Sequence, residues 1–222
     1  MKMPSAKAKV KAFTLVELLV VIFILLVVAV LLFPTGPRKS SRANLPMCMN
    51  NQKQIALAFM MWTDDHSEQF PWQVSSANGG TMEYAARGYA APNFQVLSNY
   101  LQLPIVFICP TDKSKVAATN YIQFNNQNTS YFVAFDFGTN NSVSILTGDR
   151  NLESNGKPAK PGSFIYSANA NMNWTPELHN NLKNWAAGVL SFNDGHAEAT
   201  KVANLNSIFQ REGLATNHLA VP

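Results

Sequence analysis

From Phe13 to Phe33 the chain runs through 21 residues carrying a single charged side chain, Glu17, and Pro34 follows at once. A helix of that length rises about 32 Å at about 1.5 Å per residue, enough to cross a hydrocarbon core of about 30 Å. A cleaved secretory signal has an apolar region of only about 7–15 residues and ends in small side chains. This block ends Leu31-Leu32-Phe33, so it predicts a retained, single-pass membrane helix, kinked or broken across Pro34-Thr-Gly-Pro37. Past that break the apolar positions take up a helical beat. Leu45, Cys48, Gln52, Ile55, Phe59 and Trp62 step by three or four, which predicts an amphipathic helix ending near residue 65 whose stripe, interrupted once at Gln52, packs on something.

The remainder alternates with period two in two places. Tyr131, Val133, Phe135 and Phe137 fall on one face of a strand over 130–137, with a turn at 138–142 and a return strand over 143–146. Residues 189–192 and 196–200 flank Asn193-Asp194-Gly195, and Asp-Gly suits the positive φ angles of a tight hairpin turn. Residues 66–100 show no sustained period and predict loops with short elements; 103–109 predict a short buried strand or turn. Val202, Leu205, Ile208 and Phe209 give a weak helix, and the last ten residues are expected to fray. The fold class is therefore α+β, a long apolar helix followed by a small antiparallel sheet.

Charge sharpens the membrane reading. The formal net charge is +4, and Lys2, Lys7, Lys9 and Lys11 supply all of it before the first acid. From Phe13 onward 13 basic residues meet 13 acidic ones, and over 43–222 ten meet twelve. No basic groove for nucleic acid is predicted. A lysine-rich leader before an apolar helix marks the cytoplasmic side, which places the segment after the helix outside the cytoplasm.

The string Lys11-Ala12-Phe13-Thr14-Leu15-Val16-Glu17 resembles the processing motif of type IV pilins and type II secretion pseudopilins. The resemblance implies a leader over residues 1–12, cleavage by a prepilin peptidase between Ala12 and Phe13, and N-methylation of Phe13. It further implies an assembly helix over 13–37 with Pro34 as the kink, an amphipathic continuation over 38–65 and an extracytoplasmic head over 66–222. Ala12 stands where the family usually has Gly. A buried carboxylate in a membrane helix costs up to a few kcal/mol and normally serves a partner. In the family that partner is the new α-ammonium of a neighbouring copy, here Phe13 against Glu17, within a filament anchored at the inner membrane. The implied role is a structural subunit, with no cofactor and no catalysis. A membrane-anchored, non-polymerising extracytoplasmic binding protein is the alternative, and an anchored hydrolase a third reading. More loosely, the segments around Cys48, Cys109-Pro-Thr-Asp112, Thr147-Gly-Asp-Arg150, His179 and Asp194-Gly195 are similar to a group of bacterial prepilin-like proteins with a C-terminal His and Asp-Gly motif, although more residues separate His179 from Asp194 than is usual there.

Candidate chemistry is sparse. Cys48 and Cys109 are the two cysteines, open to a disulfide that staples the helix to the head or to life as two buried thiols. Some pseudopilins hold calcium, for which Asp136, Asp149 and Asp194 are the candidate oxygen donors, without an Asp-x-Asp spacing. His179, His196, Asp149 and Asp194 are the titratable candidates for catalysis, but no nucleophile motif accompanies them. Trp62, Trp72, Trp174 and Trp185 could form a sugar-stacking surface, though core packing explains aromatics more often.

Overall fold

In a computed structural model the described residues are 13–32, 41–137, 143–167, 169–179 and 188–222, with side chains 30–32 and 41–43 also outside the description. The leader with Ala12, the kink proline Pro34, the turn 138–142 and Trp185 lie outside the described residues. The chain divides into two compact units, Met1–Lys39 and Ser40–Pro222.

The first unit contains helix α1, Leu15–Leu32. Its 18 residues rise about 27 Å, and every described side chain from Phe13 to Val28 is exposed. Among the described residues no helix is long and apolar enough to cross a membrane; the 21-residue block of the sequence extends beyond them to Phe33.

The second unit begins with α2, Ser41–Asp65. The predicted stripe is its inner face: Leu45, Cys48, Gln52, Ile55, Phe59 and Trp62 are all buried. Then come 3-10 turns and two short helices, α3 (Met82–Ala85) and α4 (Ala91–Gln95), which bring Trp72, Phe94, Leu97, Phe107 and Phe124 against α2. Residues 104–107 form a 3-10 turn rather than a strand, Pro104 at its start having no N–H to give a ladder.

Among the described residues nine strands follow: β1 (Tyr131–Ala134), β2 (Ile145–Asp149), β3 (Leu152–Ser154), β4 (Lys157–Pro158), β5 (Gly162–Ser167), β6 (Met172–Trp174), β7 (Gly188–Phe192), β8 (Ala197–Thr200) and, after helix α5 (Val202–Arg211), β9 (Thr216–Val221). They form a six-stranded antiparallel sheet in the order β5-β9-β1-β2-β7-β8 and a three-stranded one in the order β4-β3-β6. Both predicted hairpins are present, β1 pairing with β2 and β7 with β8. Gly195 takes φ +86° in the second, where Asp194 accepts a hydrogen bond from the His196 N–H at 3.1 Å.

The tail corrects an expectation. The C-terminus does not fray, because Thr216–Val221 enters the sheet between β1 and β5 and buries Leu219, Ala220 and Val221. Both faces of the large sheet are covered. Tyr131, Val133, Val189 and Ala220 point to α2, while Phe132, Ala134, Leu190, Phe192, Leu219 and Val221 join a second core with Leu205, Ile208 and Phe209 of α5 and Met172 and Trp174 of the small sheet. A sheet covered on both faces is apolar at successive positions, so alternation along one face describes only half of it.

Candidate functional site

At the start of α1, Thr14 and Glu17 cap the helix reciprocally. The Thr14 hydroxyl accepts from the Glu17 N–H at 3.3 Å, and the Glu17 carboxylate accepts from the Thr14 N–H and hydroxyl, both at 2.9 Å. The Thr-x-x-Glu spacing is that of a capping box, which satisfies N–H groups the helix itself leaves free. The one acid of the apolar block thus has a partner within its own chain.

The head buries a second, denser group of functional side chains. Cys48 projects from the inner face of α2, Asp149 ends β2, Cys109 follows the 3-10 turn at 104–107, and His179 follows β6; all four are almost wholly buried. One ligand atom from each lies within 4.8 Å of the others. Cys48 Sγ is 3.3 Å from Asp149 Oδ1, Cys109 Sγ is 3.3 Å from His179 Nε2, and the same Nε2 is 3.4 Å from Asp149 Oδ2. A shift in register between Ile145 and Thr147 sets Asp149 on this face. Across it Leu146 packs in the α2 core and Thr147 bonds Gln52 of α2, after which alternation returns Gly148 to the far side, where a Cβ would meet Leu190 and Phe132 at 2.6 Å. His179 adopts φ +53°, a conformation uncommon for residues with a side chain and concentrated at functional sites.

The group is polar and strongly coupled. Burial pushes the Cys48 thiol well above its ordinary pKa. Cys109 is pulled down to about 6, first by hydrogen bonding to Cys48 and then, against burial, by the neighbouring His179. Burial acts to lower His179, but its hydrogen bonds to Asp149 and Cys109 prevail and lift it to about 10. Around these groups, Val189 N–H donates to Asp149 Oδ2 at 2.8 Å, Tyr131 Oη lies 3.4 Å from Cys48 Sγ, and Thr111 Oγ1 lies 3.0 Å from Cys109 Sγ. The arrangement is not a nucleophile–base–orienter relay. In such a relay the acid holds the imidazole nitrogen that faces away from the nucleophile, whereas here Nε2 faces both Cys109 and Asp149 and Nδ1 has no partner among the described residues.

Two polar clusters flank the site. Arg150 grips Asp112 with two nitrogens at 2.8 and 3.2 Å and reaches Glu177 at 2.7 Å. Although burial works to raise it, Arg150 holds the Asp112 carboxyl below the usual range. On the α2 side Ser191, Thr147 and Gln52 form a buried hydrogen-bonded chain.

The candidate residues sort clearly against this geometry. Cys48 and Cys109 are brought together and are both free thiols. Of the three aspartates considered for calcium, only Asp149 lies in the cluster; Asp194 pairs with His196 at the hairpin turn and Asp136 with His218. Trp62, Trp72 and Trp174 are buried, which leaves them no face for a sugar. Tyr131, Thr111 and the Gln52 chain had no signal in the sequence beyond Gln52 breaking an apolar stripe. Residues 7–33 match the prokaryotic N-terminal methylation motif, in agreement with the type IV pilin-like reading of Phe13-Thr14-Leu15-Val16-Glu17. No curated protein and no solved structure matches the chain.

Proposed function

We propose that the chain is the membrane-anchored precursor of a pilin-like, pseudopilin-type structural subunit. The observation that carries this reading is the methylation motif over residues 7–33 laid on a helix whose side chains from Leu15 to Val28 are exposed and whose one acid is Glu17. A prepilin peptidase cuts between Ala12 and Phe13 and the new amino group is methylated. An α-amino group in water has a pKa of about 8 and is largely cationic at neutral pH. On assembly, Glu17 exchanges its Thr14 cap for the Phe13 ammonium of an adjacent copy, which offsets part of the desolvation of both charges. The helices trade lipid for one another, and the heads, facing away from the cytoplasm, form the surface of a filament that starts at the inner membrane. The head is structural rather than enzymatic, a reading supported by the inaccessibility of its buried Cys–His–Asp group.

Two measurements test this. Mass spectrometry of the mature chain should find methylated Phe13 at the N-terminus; an intact Met1 in a host with the peptidase refutes processing. Glu17→Gln keeps the capping box, which accepts either side chain, but removes the charge. The variant should insert and be processed like the parent yet fail to form filaments, and normal polymerisation would overturn the charge-pairing account.

A further inference from the structure

We propose that Cys48, Cys109, Asp149 and His179 form a structural site for one zinc-like divalent cation. Zinc bonds of about 2.0–2.3 Å at tetrahedral angles set ligand atoms about 3.3–3.8 Å apart. The contacts of Cys48 Sγ with Asp149 Oδ1, Cys109 Sγ with His179 Nε2 and that Nε2 with Asp149 Oδ2, at 3.3, 3.3 and 3.4 Å, are near that edge length, the carboxylate turning a different oxygen to each neighbour, and one ligand atom from each of the four side chains lies within 4.8 Å of the others. Among the described residues this is the one group of His, Cys, Asp and Glu side chains so arranged.

The donor set selects the ion. Two sulfurs and an imidazole suit a borderline-soft metal such as zinc and do not suit calcium or magnesium, which take oxygen. Four protein ligands with no exposed surface make a closed, structural site with no open position for substrate. The surroundings fit ligands in their deprotonated forms. The Tyr131 hydroxyl faces Cys48 Sγ, the Thr111 hydroxyl faces Cys109 Sγ, and the Val189 N–H donates to Asp149. Such outer contacts orient metal ligands and spread their charge. Two thiolates and a carboxylate around a dication leave one net negative charge, which these donors share. The ion would tie α2, the 109 loop, the end of β2 and the segment after β6 at one point, cross-linking positions from 48 to 179.

The experiment uses the full-length chain in detergent micelles, purified without chelator. Elemental analysis should give about one zinc per chain. Exchange for cobalt should produce the visible bands of a tetrahedral ion together with a near-ultraviolet thiolate charge-transfer band. Cys109→Ser and Asp149→Ala should abolish stoichiometric binding, while Asp194→Asn and Asp136→Asn should retain it. Tyr131→Phe, which keeps the ring packing, should weaken zinc binding about 10–100-fold, a change that a purely packing role for the tyrosine would not produce. If the ligand variants fail to fold, the cobalt spectrum of the parent chain decides alone. Absence of both metal and charge-transfer band overturns the proposal. So does a chain lighter by two hydrogens with a Cys48–Cys109 peptide, which would assign the sulfurs to a disulfide.

Discussion

Gln52 offers a sharp test of the packing beneath α2, because it is the one polar residue of the buried stripe and is only half satisfied. Its carbonyl oxygen accepts from the Thr147 hydroxyl, which in turn bonds Ser191 Oγ at 2.6 Å, while its Nε2 has no partner among the described residues. A stranded buried donor costs about 1–3 kcal/mol, and a satisfied hydrogen bond contributes about 1 kcal/mol. Gln52→Met, nearly the same size, removes both, so the head should unfold within about 1 kcal/mol of the parent or later. Thr147→Val strands the Gln52 carbonyl and the Ser191 hydroxyl and should cost about 2 kcal/mol or more. With Gln52→Met already present, the same valine strands one group fewer, and the pair should show a coupling of about 1–2 kcal/mol. Urea unfolding of the detergent-solubilised chain followed by tryptophan fluorescence reads this directly, since all four tryptophans lie beyond Ser40. Additivity within about 0.5 kcal/mol, or a loss of about 3 kcal/mol from Gln52→Met alone, would refute the reasoning.

Glu212 is buried with its carboxylate against the Ile145 N–H, and burial, with Asp136 adding to it, raises its pKa from 4.5 to about 7. The fold therefore prefers the protonated acid. The associated stability is complete below pH 4.5 and lost as pH rises to about 7, a difference of up to about 3 kcal/mol. Glu212→Gln should flatten that part of the stability–pH curve, and an unchanged slope in unfolding scans from pH 4 to 8 would count against it. Ending the chain at Ala215 removes β9 from between β1 and β5, strands both edges and deletes the buried Leu219, Ala220 and Val221. Limited proteolysis should find such a head unfolded, and a protease-resistant head would show that β9 is dispensable.

Much of the architecture was legible because it is written in local periods. The exposed helix follows from a long apolar run interrupted by one acid, the inner face of α2 from steps of three and four, and the β7–β8 hairpin from Asp194-Gly195 between two short runs. The β1–β2 hairpin was legible in its pairing, although its return strand begins at Ile145 and extends to Asp149, past the predicted end. The tail misled because Thr216-Asn217-His218 is polar by itself; its strand exists only because β1 and β5 offer unpaired edges on either side.

Taken alone, the chain determined an apolar, lysine-led helix with one acid, an amphipathic helix after it and antiparallel hairpins beyond, since each depends on neighbours a few positions away. Only the tertiary structure decided that Cys48, Cys109, Asp149 and His179 meet. They are separated by dozens of residues, and their convergence depends on sheet order, on the register shift before Thr147 and on α2 lying across β2 and β7. The same two cysteines could be named as a pair from their number, but the carboxylate and imidazole between which they sit belong to long-range packing. No periodicity of the sequence encodes that.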